Sequence, residues 1–311
     1  MKRQLVSLGV LLIKSAFFVG AGAGAAYSQT FKGESLRRSF PAQPGGVLRV
    51  KAHQGSVEVK ASAGDTVEIE VMRKVNAATR EEAESIFREL TVDFEPNAQG
   101  VEVRSAFHGR RKHVNLEYII RVPRRYNVEV KTWGGNVSVS GVEGRVQAET
   151  AGGGLRFERI DGAVRGETSG GSIEAVEIAG DVLAYTSGGR IDVRDVRGQL
   201  DARTSGGVID LAGVTHGVKA QTGGGDIRAR IASQPRGDYN LETGGAGVTV
   251  YLAADIRLNV SAKTSAGGRV KTDFPIAVKA ESGDALETSL NGGGAKLSIV
   301  TSGADIHLRK I

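Results

Sequence analysis

The chain of 311 residues contains no cysteine, so it can form no disulfide and no thiolate metal site, and it has no cysteine for a lipid anchor. It has six prolines and none between Pro123 and Pro235, so nothing in that span interrupts a backbone hydrogen-bond ladder. Aromatic residues make up only 5% of the chain, while glycine occurs 44 times without the every-third-residue spacing of collagen. This composition is typical of many short strands joined by tight turns.

An 18-residue unit repeats along the middle of the chain, and each copy carries the pattern Thr-x-Gly-Gly. The threonines of these copies are Thr132, Thr150, Thr168, Thr186, Thr204 and Thr222. Apolar columns that begin at Val137, Val142 and Val146 keep the same period. Self-similarity at a short fixed period indicates a solenoid, in which stacked units bury one continuous core. The sequence therefore predicts an all-β protein, a parallel β-solenoid (β-helix) with coils of about 18 residues.

The alternation of apolar and polar residues predicts two short strands and two turns in each coil. Between Thr168 and Tyr185, for example, Ile173 and Ala175 face inward, Ile178 follows after a break, and the polar residues fall between them. Neighbouring coils would lie ~4.8 Å apart, the ordinary separation of strands. The threonine column has the parity of the inward positions. We therefore expect a ladder of hydroxyl groups at the glycine corner, each bonding along the stack or to a turn amide.

The repeat pattern divides the chain into four segments. Residues 1–28 precede the fold, and residues 132–228 hold the regular repeats. Residues 29–131 are predicted to form an irregular strand region with one short helix at 79–90, which begins or caps the solenoid. Residues 229–311 hold copies at wider spacing, and are predicted to form irregular coils and a C-terminal cap that closes with a last copy at Thr301.

The first 28 residues have the features of a secretory signal peptide. Met1-Lys2-Arg3 is followed by an apolar run, and Ala26-Tyr27-Ser28 is a small-x-small cleavage site. The alternative is an uncleaved membrane anchor, which would be the chain's one contact with the membrane. Both interpretations predict an exported protein of the periplasm, the cell surface or the medium.

Net charge argues against a nucleic-acid partner. The formal charge is +6, but Lys2, Arg3 and Lys14 lie in the predicted signal, so the mature chain carries about +3. A surface so close to balance lacks the single-sign field that attracts nucleic acid.

Four features together resemble a known family. They are the export signal, a strand region that ends in Val122-Pro123 and Val128-Glu129-Val130, the tandem Thr-Ser-Gly-Gly-x-Ile units, and the closing Thr-Ser-Gly-x-x-Ile segment at Thr301. Over nearly all of residues 45–311, the chain resembles the bacterial "putative adhesin" domains of unknown function. The resemblance implies a parallel β-solenoid in an exported or envelope protein, and it supplies no catalytic residues.

An outward column of three carboxylates, Glu174, Asp192 and Asp210, is the main candidate for chemistry. Carboxylates ~4.8 Å apart on neighbouring strands repel one another unless something neutralises them. One hypothesis is a bound cation such as Ca²⁺, which prefers oxygen ligands. The other is ion pairing with nearby arginines, namely Arg156, Arg194 and Arg228.

The same carboxylates are the candidates for a polysaccharide lyase or a glycosidase, which places two carboxylates across a bound sugar. Against this hypothesis, the single tryptophan, Trp133, is predicted in a turn, so the sequence offers no aromatic platform for a sugar. The five histidines show no ligand spacing either. Separately, the densest basic run contains Arg110, Arg111 and Lys112. It is a candidate contact for anionic envelope polymers or headgroups, and its alternative is a solvated hairpin loop.

We therefore expect a non-enzymatic, exported, adhesin-like protein that binds or scaffolds at the cell envelope. Its expected partner is an envelope or extracellular polymer or protein, with no cofactor and no catalytic residue. Two alternatives stay open: a carbohydrate-active lyase or hydrolase on a β-helix, and a periplasmic sensor or regulator.

The signal peptide generates a direct prediction. Because cleavage follows the small-x-small site, the mature protein should begin near Gln29 and should be found in the periplasmic or extracellular fraction. N-terminal sequencing of the fractionated protein measures this. Soluble cytoplasmic protein that still begins with Met1 or Lys2 would contradict the prediction.

Overall fold

The computed structural model describes residues 29–108, 114–275 and 283–311. These residues form 27 strands and one helix, arranged as a parallel β-solenoid with two long sheets. In the regular part, each coil contributes one strand to each sheet. Sheet A has 14 strands and sheet B has 13, and the predicted fold class is confirmed.

The first eight strands and the helix precede the regular repeats. They are β1 (Gln29–Lys32), β2 (Leu36–Pro41), β3 (Val47–Ala52), β4 (Gly55–Ser62), β5 (Thr66–Ala77), α1 (Arg80–Arg88), β6 (Leu90–Asn97), β7 (Gly100–Phe107) and β8 (Val114–Pro123). The regular coils are β9 (Asn127–Thr132), β10 (Val137–Ser140), β11 (Val146–Thr150), β12 (Leu155–Ile160), β13 (Val164–Thr168), β14 (Ile173–Ile178), β15 (Val182–Thr186), β16 (Ile191–Val196), β17 (Leu200–Thr204), β18 (Ile209–Val214), β19 (Val218–Thr222) and β20 (Ile227–Ile231). The last strands are β21 (Tyr239–Thr243), β22 (Val248–Leu252), β23 (Leu258–Thr264), β24 (Val270–Thr272), β25 (Ala285–Leu290), β26 (Ala295–Thr301) and β27 (Ile306–Lys310).

Strand pairing follows the 18-residue period of the sequence. In sheet A, Ile191 lies between Ile173 and Ile209 on the parallel neighbouring strands. In sheet B, Ala184 and Ala202 pair in the same way. All of these inward residues are buried, so the alternate residues of the two facing sheets form one continuous core. Burial of the apolar residues on the inward face of every strand is the main stabilising contribution.

The predicted ladder of threonine hydroxyls is present at the glycine corner. The Thr186 hydroxyl donates to the Gly171 carbonyl oxygen of the preceding coil at 2.9 Å. It also accepts from the Gly189 N–H of its own turn at 3.2 Å. The same pair of bonds recurs in the neighbouring coils at Thr168, Thr204 and Thr222. Each buried hydroxyl therefore satisfies backbone groups at a corner where no strand ladder runs.

The glycines of this corner are required by close approach between coils. A Cβ on Gly207 would lie 1.8 Å from the Gly189 carbonyl oxygen, and one on Gly189 would lie 1.9 Å from the Gly171 oxygen. No side chain fits at such a distance, so a larger residue would push the coils apart. The adjacent Gly206 is different, because no atom lies within 4 Å of its Cβ position.

A second column interrupts the strands of sheet A. Arg159, Glu177 and Asp195 occupy equivalent positions with φ of 53°, 58° and 54°, in the left-handed region that residues with a Cβ rarely adopt. Glycines, Gly141 and Gly213, occupy the same position in the flanking coils. The neighbours of these residues stay paired in an unchanged register, so each left-handed residue is a kink that neighbouring strands share. This kink is the break that the sequence shows before Ile178.

At the N-terminal end, order along the chain differs from order in space. The coil β3–β4 pairs with β9–β10 on one side and with β7–β8 on the other, always in parallel. Beyond that coil, β5 and β6 run antiparallel to β8 and β7 and close the stack, with β1 and β2 paired to β5. Helix α1 joins β5 to β6 within the predicted range 79–90, and Thr79 caps it.

At the C-terminal end, too, the order of the coils in space differs from their order along the chain. The coil β26–β27 lies between β21–β22 and β23–β24, and β25 runs antiparallel to β23 at the edge of sheet B. The Thr301 copy is last in sequence, but in space it lies one coil inside the end. Among the described residues, no helix is long and apolar enough to cross a membrane.

The two neighbouring glycines Gly206 and Gly207 provide a matched test of the corner. Gly207→Ala should lower the free energy of unfolding by about 1–3 kcal/mol, because the methyl group overlaps the Gly189 carbonyl. Gly206→Ala adds the same methyl group to open space and should change stability by no more than about 0.5 kcal/mol. Denaturant unfolding measures both. Equal effects would show that close approach does not determine the corner.

Candidate functional site

A groove of about 670 Å³ runs along the outside of the glycine corner and crosses six consecutive coils. We call it the corner groove. One side is the outward column of sheet B that precedes each threonine: Lys131, Glu149, Glu167, Tyr185, Arg203 and Gln221. The other side is the corner column that follows each threonine: Trp133, Ala151, Ser169, Ser187, Ser205 and Gly223. The groove exists because the corner column is small in every coil but the first.

The threonines between these two columns form the floor of the groove. Thr150, Thr168, Thr186, Thr204 and Thr222 are all at most 7% exposed, and their hydroxyls are engaged within the corner. They are therefore structural groups, and the groups left to meet a ligand belong to the two flanking columns.

Charged groups in the corner groove are paired within the protein. Lys131 Nζ lies 2.9 Å from Glu149 Oε1, and Glu167 forms an ion pair with Arg165. Arg203 Nη2 lies 2.6 Å from Asp201 Oδ2. The groove thus presents two cations and two anions with no excess of either sign.

Tyr185 lies near the middle of the groove in a fixed orientation. Its hydroxyl donates to Asp201 Oδ2 at 3.2 Å, and the Arg203 guanidinium lies over its ring at 5.2 Å from the centroid. Burial is the main cause that raises the pKa of the Tyr185 phenol, and the negative charge of Asp201 raises it further. The phenol therefore remains a neutral donor. The hydrogen bond from Arg203 to Asp201 in turn raises the pKa of Arg203.

Trp133 stands at one end of the corner groove with 74% of its surface exposed. The only other exposed large hydrophobic residues in the described part of the chain are Val300 and Ile311, at 40% and 41%. The sequence correctly predicts that Trp133 lies in a turn, and the structure places this residue in the lining of the corner groove.

Three serines, Ser169, Ser187 and Ser205, lie along the corner column and are exposed. Their hydroxyls make no hydrogen bond to any described part of the protein. Together with the repeat of the coils, they provide a row of free hydroxyl groups at intervals of ~4.8 Å.

The predicted carboxylate column lies on the outer face of sheet A, away from the corner groove. Arg190 Nη2 lies 2.8 Å from Asp210 Oδ2 and 3.3 Å from Asp192 Oδ2. The expected partners are also there: Arg194 lies 2.9 Å from Asp192, Arg228 lies 3.7 Å from Asp210, and Arg156 contacts Glu174. The sequence did not indicate the bridging role of Arg190. The negative charge of the Glu174 carboxylate is the main reason that the pKa of the Arg156 guanidinium is raised.

Each carboxylate of the column therefore has at least one arginine partner. In residues 29–108, 114–275 and 283–311, no group of three or more His, Asp or Glu residues is placed to hold a metal ion. The proposed anionic-surface contact, Arg110, Arg111 and Lys112, lies outside the described residues, as does the predicted signal peptide at 1–28. Both stay predictions.

Comparison with known proteins identifies a matching family. The family described as Toastrack DUF4097 matches residues 47–287. No curated protein matches the chain. Among solved structures, a "putative cell adhesion protein" from Clostridium sporogenes is 11% identical, with 89% of this chain and 100% of that chain covered and a TM-score of 0.26. A "putative adhesin" from Bacteroides fragilis is 7% identical over 89% and 97%, with a TM-score of 0.34. A "putative lipid binding protein" from Parabacteroides distasonis is 10% identical over 88% and 97%, with a TM-score of 0.32.

The arginines on sheet A lead to a prediction about calcium. Because Arg190 and its neighbours neutralise the carboxylates, millimolar Ca²⁺ should leave the Tm of the protein unchanged. Arg190→Ala should lower stability by about 0.5–1 kcal/mol, since it removes the cation that lies between Asp192 and Asp210 and leaves each with one arginine, and added salt should reduce this loss. Thermal melts with and without Ca²⁺ measure both effects. A calcium-dependent rise in Tm that Asp192→Asn abolishes would instead establish a cation site.

Proposed function

This chain belongs to the Toastrack DUF4097 family, and we propose that it is a non-enzymatic, adhesin-like binding scaffold of the cell envelope. In this proposal the first 28 residues direct export, and the corner groove holds an extended envelope or extracellular polymer. The observation that carries the proposal is the groove itself, which crosses six coils and is lined by the same two positions of each coil.

The dimensions of the groove suit a linear ligand. Six coils at ~4.8 Å give a length of roughly 24 Å. Its volume lies within the range of about 300–1,000 Å³ that is usual for ligand clefts. Such a long, straight recess fits an extended chain better than a compact molecule.

The groups in the groove favour binding over catalysis. Glu149 is ion-paired with Lys131 and Glu167 with Arg165, so both carboxylates are engaged in contacts within the protein. The buried threonine hydroxyls are held between two backbone groups. A carbohydrate-active enzyme would need two carboxylates on opposite sides of the bound sugar. A sensor would need a partner protein that recognises the ligand-bound form.

The scaffold is suited to binding because it is rigid before the ligand arrives. Every strand from β11 to β19 is paired in parallel on both sides. The two flanking columns therefore keep their spacing, and the entropy lost on binding is mainly that of the ligand and of a few side chains. Such preorganisation allows many individually weak contacts to add up along the groove.

The proposal predicts that filling the groove abolishes envelope binding. Ser169→Tyr places a ring in the groove, whereas Ser172→Tyr places the same ring on the other side of the same turn, outside the groove. Both residues are exposed, so both variants should fold. Co-sedimentation of the mature protein with isolated cell envelopes should show at least about tenfold weaker retention for Ser169→Tyr only. Equal retention of both variants would refute a role for the groove.

A further inference from the structure

We infer that the corner groove binds a linear, uncharged polysaccharide segment, with one sugar ring stacked on Trp133. This inference rests on the proposed function and names the ligand class of the same site. It depends on three observations: an exposed indole, a groove without net charge, and a row of free hydroxyls.

The indole of Trp133 is the first observation. Because 74% of its surface is exposed, the indole is accessible to a ligand, and covering it would contribute about 25 cal/mol per Å² of apolar area. The apolar face of a pyranose ring matches an aromatic ring in size, and it carries hydroxyls at its edge. Trp133 lies at the first of the six coils, where a ring stacked on it continues directly into the groove.

The charge balance of the groove is the second observation. Lys131 and Arg203 are offset by Glu149 and Glu167, and each of the four is ion-paired. A polyanion such as a nucleic acid or a phosphate-rich polymer is attracted by a groove with an excess of cations. The balanced charges of the corner groove therefore complement an uncharged chain whose groups hydrogen-bond as both donors and acceptors.

The free serine hydroxyls are the third observation. Ser169, Ser187 and Ser205 each offer one donor and two acceptor lone pairs, none of them used within the described protein. They recur once per coil at ~4.8 Å, a spacing comparable to the length of one sugar unit in an extended chain. Sugar hydroxyls, which also donate and accept, match such a row.

An extended peptide fits this site less well. Peptides that lie along a sheet bind chiefly by adding a strand to an unpaired edge. The corner groove instead crosses the strands, whose backbone groups are already paired on both sides from β11 to β19. A peptide would therefore find no unpaired strand edge there.

The inference can be tested with the protein's own fluorescence, because Trp133 is the only tryptophan. Cellohexaose and chitohexaose, two uncharged linear hexasaccharides, serve as probes. At least one should shift the emission to the blue and protect the indole from acrylamide quenching. By calorimetry, Trp133→Ala should bind that probe at least about tenfold more weakly, while Tyr251→Ala on sheet A should bind it as the parent protein does. A thermal melt confirms that both variants fold.

Two outcomes overturn the inference: neither hexasaccharide binds, or Trp133→Ala binds as tightly as the parent protein. A further measurement separates this inference from the proposed function. Envelopes treated with periodate lose their sugar diols, and envelopes treated with protease lose their proteins. Suppose that Ser169→Tyr abolishes retention, and that retention by the parent protein survives periodate but is lost after protease. The groove would then bind a protein partner, which overturns the polysaccharide inference but leaves the proposed binding scaffold in place. Retention that Ser169→Tyr leaves unchanged would remove the proposed function itself.

Discussion

The close contact of successive backbones at the glycine corner is the constraint on which this structure depends. At Gly189 and Gly207 the preceding coil's carbonyl occupies the space of a Cβ, so only glycine allows coils to stack at strand separation. The threonine beside each glycine then bonds the two coils through one hydroxyl, as Thr186 does. The groove is a consequence of this packing. A corner that is kept thin so that coils can approach leaves a recess beside the taller side chains of sheet B.

A parallel stack must also protect its two ends, because unpaired edge strands invite association. This chain ends each stack with antiparallel strands, β5 and β6 at one end and β25 at the other. It also places a coil made of residues distant in sequence one step inside each end. Such a coil pairs on both sides, so its removal from the stack must break two ladders in each sheet. The ends of a simple solenoid are held by one neighbour only.

The sequence contains the regular part of the fold almost completely. Its period predicts the pairing of Ile173, Ile191 and Ile209, and the parity of the threonines predicts their buried ladder. The threading of the ends could not be predicted, since the position of β26 between β21 and β23 is a choice among equivalent apolar strands that no local pattern distinguishes. The left-handed conformation of Glu177 was hidden for another reason: it occupies a position where glycine would have signalled the bend.

The sequence contains part of the signal for the corner groove. Tyr185 and Arg203 stand in an outward column of the same period, and Trp133 occupies the corner position that is small in the other copies. The sequence does not show the depth of the groove, because the groove forms only when the corner folds tightly beside the sheet. The groove begins at the coil of Thr132 and ends at the coil of Thr222, beyond which the spacing widens to 21 residues. The number of uninterrupted 18-residue copies thus sets the length of the groove.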